Sequence, residues 1–65
     1  MDDLRDEVRQ RMLQIGSCNV PLAELERRWK YQIDRDLTLA EDFMGWCKRC
    51  GWRARIKDGA VEARR

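Results

Sequence analysis

Trp52-Arg53-Ala54-Arg55-Ile56-Lys57 alternates apolar and cationic residues, Asp58-Gly59 interrupts, and Ala60-Val61-Glu62-Ala63-Arg64 resumes the alternation. A period of two is the mark of a half-buried strand, not of a helix. Asp-Gly accepts the positive φ that a two-residue type I′ turn needs at both central positions. Such a turn pairs Lys57 with Ala60, Ile56 with Val61, Arg55 with Glu62 and Ala54 with Ala63. The register is self-consistent: Trp52, Ala54, Ile56, Val61 and Ala63 share an apolar face, while Arg55 opposes Glu62 on the wet one. A lone hairpin is marginal in water, so residues 52–64 must lay their apolar face on the rest of the chain.

The rest of the chain supplies helices. Immediately upstream, Thr38-Leu39-Ala40-Glu41 has the form of a capping box, and Gly51 can end the helix that it starts. A helix over 38–50 buries Leu39, Phe43, Trp46 or Cys47, and Cys50. Asp34-Arg35-Asp36 reads as a turn. Before it, Pro21 suits a first helical turn, and Leu22, Leu25, Trp29 and Ile33 recur at three and four, which predicts a helix over 21–33. Cys18-Asn19-Val20 has room for a few extended residues at most. A first helix over 3–15 carries Leu4, Val8, Met12 and Ile15 inward, with acids at its start and arginines later, and Gly16-Ser17 turns the chain.

Sixty-five residues make one small domain and exclude an enzyme with its own substrate domain. With 43% hydrophobic and 40% charged residues the chain escapes the disordered class but cannot build a large interior. No stretch resembles a membrane span or a secretory leader. Three cysteines form no closed disulfide framework, so we expect reduced thiols and a cytoplasmic protein. Met1 and the completed hairpin lead us to expect a whole protein. Fourteen basic against twelve acidic residues leave a formal charge of +2, so local placement decides the partner.

Helix, short extended piece, helix, turn, helix and hairpin, in this order, resemble the winged helix-turn-helix family. The residues carrying the resemblance are Val20-Pro21-Leu22-Ala23-Glu24-Leu25, the turn at 34–37, Leu39 to Gly51, and Trp52 to Arg64 with Asp58-Gly59 as the wing. It implies an α+β fold, mainly α, of three helices and a C-terminal β-hairpin wing, and binding to nucleic acid, DNA in preference to RNA. A second likeness, to LOTUS-type winged helices with their RNA and protein partners, rests on Leu25, Trp29, Tyr31, Phe43 and Trp46.

Lys48, Arg49, Arg53, Arg55 and Lys57 fall in a run with no acid between Phe43 and Asp58. An outer hairpin face needs solvated charge in any case, but not charge of one sign, and such a cluster suits phosphate oxygens. The resemblance implies that the third helix enters a groove and exposes Thr38, Ala40, Glu41, Asp42 and Gly45. Glu41 and Asp42 would meet phosphates with the wrong sign, so the alternative is a protein-binding or homodimerising module using Glu41, Asp42 and Gly45.

Cys47-Lys48-Arg49-Cys50 is a C-x-x-C motif at the end of a helix, where the dipole opposes a reactive thiolate. Together with Cys18 it falls short of four zinc ligands, and a core role outweighs metal or redox chemistry. The tryptophans Trp29, Trp46 and Trp52 read first as packing residues; Trp46 or Tyr31, if exposed, could stack on bases. With no His, a single serine and no Gly-rich phosphate loop, no catalytic residue, cofactor or metal site is expected. The expectation is a small DNA-binding regulator or accessory factor.

Overall fold

A computed structural model describes residues 3–30, 32 and 35–65. Among these residues, three helices, α1 (Leu4–Gln14), α2 (Leu22–Arg28) and α3 (Leu39–Arg49), pack on one face of a three-stranded antiparallel sheet. Its strands are β1 (Ser17–Pro21), β2 (Arg53–Lys57) and β3 (Ala60–Arg64), in the order β1-β3-β2. The chain is thus a small α+β domain.

The hairpin forms in the expected register, Lys57 opposite Ala60 through Ala54 opposite Ala63. Asp58 and Gly59 both take positive φ, 53° and 75°, as the two-residue turn requires. Val61 and Ala63 are buried, and Ala54 and Trp52 are half-buried against the core. Ile56 departs from the expected apolar face: it is 50% exposed, because it lies beside the turn at the end of an outer strand.

The extended piece after Gly16 is a full strand, longer than the few residues its sequence suggests. β1 pairs with β3 along Ser17–Arg64, Cys18–Ala63, Asn19–Glu62, Val20–Val61 and Pro21–Ala60. Pro21 ends the strand on the sheet's edge, where no ladder bond needs its missing N–H. With φ −58° and ψ 144° it caps α2 from outside and does not begin the helix.

α2 is shorter than the predicted 21–33. Its last turn closes with Trp29 N–H donating to Leu25 O at 2.8 Å, and Trp29 then turns to φ −83°, ψ 102°. Tertiary contact explains the exit. Trp29 points into the core, where its indole Nε1 donates to Asp42 Oδ2 at 2.9 Å and its ring meets Phe43 edge-on, centroids 5.1 Å apart. Ile33, Asp34 and Tyr31, which the sequence reading used, lie outside the described residues.

α3 begins at the capping box: Thr38 Oγ1 accepts from Glu41 N–H at 3.1 Å and Glu41 Oε1 from Thr38 N–H at 3.0 Å. Phe43, Trp46 and Cys47 are buried together, so both alternatives for the inward position hold. Trp46 stacks beside Phe43 and meets Trp52 edge-on, which joins the helix layer to the start of β2. On α1, Leu4, Val8 and Met12 are buried as their spacing requires. Ile15 is not; it is 71% exposed, because the helix has ended and Gly16, at φ +85°, leads the chain away into β1. Arg28 Nη1 reaches Glu7 at 2.6 Å and Glu24 at 3.1 Å, tying α2 to α1.

Candidate functional site

Strand alternation decides which side chains share the open face of the sheet. Residues of β2 and β3 that do not face the helices are Arg53, Arg55 and Lys57, and Ala60, Glu62 and Arg64. Read across all three strands, Ser17, Arg64 and Arg53 form one row, Asn19, Glu62 and Arg55 the next, and Pro21, Ala60 and Lys57 the last. Four cations therefore surround one carboxyl group. Arg64 Nε lies 2.6 Å and Arg55 Nη2 3.5 Å from Glu62 Oε1. Burial pushes the Glu62 carboxyl up, but Arg64, Arg55 and Lys57 together outweigh it and hold the group below the ordinary carboxylate range. A carboxylate so placed spaces the guanidinium groups and cancels one of their charges, leaving the face an excess of three.

The face is slightly concave between Arg53, Arg55 and Arg64. A second shallow depression, bounded by Arg11, Ser17, Asn19, Glu62 and Arg64, continues it toward α1. Arg64 and Arg11 were not among the expected site residues. Arg64 follows from extending the hairpin register by one pair; Arg11 depends on β1 joining the sheet, which no local pattern announces.

The five cations taken as one cluster divide between two layers. Arg53, Arg55 and Lys57 are on the open sheet face, whereas Lys48 and Arg49 lie exposed in the last turn of α3, on the helix side. Arg49 folds back along its own helix, its Nη1 3.6 Å from where a Cβ at Gly45 would stand.

The acidic interaction face expected on α3 is not there as drawn. Asp42 is 5% exposed and accepts the Trp29 indole hydrogen bond, and Ala40 is buried beside the core. Within that burial the indole N–H meets one of the Asp42 oxygens. Glu41 alone of the two acids reaches solvent. Its carboxyl is held below the ordinary range by the Thr38 backbone N–H, with the Thr38 side chain adding to this. Gly45 is half-buried beneath Arg49.

Trp46 is not available for stacking on a base, being buried with the Arg9 guanidinium 5.5 Å from its ring centroid. Cys18 and Cys47 are buried and Cys50 half-buried, all as free thiols. Burial pushes the Cys47 thiol up to about 12, the neighbouring Cys50 and Cys18 adding to it, and burial likewise raises Cys18. That is packing behaviour, not nucleophile behaviour. Among the described residues no group of three or more His, Cys, Asp or Glu could hold a metal ion, and no helix is long and apolar enough to cross a membrane. The chain matches no family model, no curated protein and no solved structure.

Proposed function

We propose that the chain is a winged-helix domain that binds nucleic acid, DNA before RNA, and serves as a cytoplasmic regulator or accessory factor. The helix-strand-helix-helix-hairpin order and the β1-β3-β2 sheet support the fold assignment. The observation that carries the binding proposal is the open sheet face, where Arg53, Arg55, Lys57 and Arg64 surround a single carboxyl, Glu62. Many other charges of the domain are spent internally: Arg28 on Glu7 and Glu24, Arg9 on Asp6, Arg65 on carbonyls of α1. Arginine side chains at regular strand spacing suit a run of phosphate oxygens. Lys48 and Arg49 contribute from the helix side only to a ligand that wraps the end of α3.

Fluorescence anisotropy with a labelled duplex, and with the matching single strand and RNA, tests the reading. An excess of three cations predicts a log–log salt slope of about −3 on duplex DNA. Arg53→Glu with Arg55→Glu removes most of the binding, and Glu62→Gln strengthens it by freeing one charge. No association at low salt overturns the proposal. The alternative, a protein-binding face of Glu41, Asp42 and Gly45, has lost Asp42 to the core.

A further inference from the structure

We infer, resting on the nucleic-acid reading proposed above, that the domain grips the sugar–phosphate backbone of a duplex without regard to base sequence. Base readout needs polar groups that can meet base edges: guanidinium forks for guanine, amides for adenine, carboxylates for cytosine. In a helix-turn-helix domain such groups stand in the first turns of the recognition helix. Here every polar side chain from the cap through the first turn of α3 is already engaged. Thr38 Oγ1 accepts from Glu41 N–H at 3.1 Å, and Glu41 Oε1 accepts from Thr38 N–H at 3.0 Å. Asp42 Oδ2, buried, accepts from the Trp29 indole at 2.9 Å. The half-buried Met44 and Gly45 that follow carry no amide, hydroxyl or charge.

The open sheet face repeats the pattern. Arg64 Nε at 2.6 Å and Arg55 Nη2 at 3.5 Å converge on Glu62 Oε1, which directs both guanidinium groups across the sheet and occupies the carboxylate. Arg53, Arg55 and Lys57 recur at alternate positions along β2, a stride of about 6.8 Å that follows successive phosphates whatever bases they bear. The side chains of this face that keep base-reading chemistry, Ser17 and Asn19, stand on β1, and β3 with Glu62 lies between them and the β2 cations. Among the described residues no aromatic side chain lies on the face, so an unpaired strand finds nothing there to stack on, while a duplex presents the denser line of phosphates. Backbone contacts position a protein without carrying sequence information, which favours the accessory role over that of a site-selective regulator.

The test is equilibrium anisotropy of the full chain, at one low salt concentration, with labelled duplexes of a single length: A·T only, G·C only and two scrambled mixtures. Affinities within about threefold of one another are expected, since one genuine base contact opens a gap of about tenfold. Asn19→Ala should leave the whole series unchanged, and single-stranded dT of the same length should bind more weakly than any duplex, by about threefold or more. A spread of tenfold or more among the duplexes, a sequence preference that Asn19→Ala abolishes, or tighter binding of the single strand overturns sequence-independent duplex binding and leaves nucleic-acid binding in place. Absence of association with every duplex overturns the nucleic-acid reading, and this inference with it.

Discussion

Asp42 would be an odd residue to bury were Trp29 not there to meet it. The indole N–H and the carboxyl oxygen, 2.9 Å apart, satisfy each other across the junction of α2's exit and α3. Asp42→Ala removes the acceptor of this indole hydrogen bond and should cost about 2 kcal/mol, whereas Asp42→Asn keeps an oxygen acceptor and should cost clearly less. Urea unfolding of the two variants checks this; equal losses would mean the hydrogen bond contributes little. The thiols give a second reading of burial. Under native conditions iodoacetamide should modify Cys50 well before Cys18 or Cys47, and Cys47 only on the timescale of unfolding, as followed by mass spectrometry.

Among the elements, the hairpin rests on two residues. Gly59 sits at φ +75° with open space where a Cβ would go, so Gly59→Ala isolates the backbone cost of a left-handed conformation. That cost is about 1–2 kcal/mol. A thermal melt would show it, and an unchanged midpoint would contradict the turn assignment. This hairpin and α3 could be read from local sequence because each carries its own signals in one contiguous stretch, the Asp58-Gly59 turn inside the alternation and the Thr38–Glu41 cap directly before the helical period. β1 and the end of α2 could not. β1 exists because β3, more than forty residues later, offers it a partner. Periodicity carried α2 through Trp29 toward Ile33, but the aromatic cluster drew Trp29 off the helix path. The candidate site divides the same way. Arg53, Arg55 and Lys57 were visible from alternation alone, while the separation of Lys48 and Arg49, the burial of Asp42 and the addition of Arg11 depend on packing between distant segments.

For the molecule as a whole, acid is the informative variable. Glu62 and Glu41 both have carboxyls held below their ordinary value of 4.5 in the folded state. Between the folded and unfolded values the unfolded chain binds more protons, so stability rises with pH there. The contribution is complete above about pH 5, where both states are ionised, and is lost as the pH falls through the folded values. Glu62→Gln and Glu41→Gln should each flatten the acid limb of a stability–pH curve measured by circular dichroism. An unaltered limb would show that neither group's surroundings matter to folding.

Arg65, finally, joins two distant parts of the chain. Its guanidinium caps the carbonyls of the first helix while its backbone N–H donates to Gly16 O at 3.2 Å, so the earliest and latest segments of the chain are clasped at one point. Neither can fray alone. Deuterium uptake in the last turn of α1 and along β3 should therefore follow a common clock, and releasing the clasp with Arg65→Ala should quicken both together.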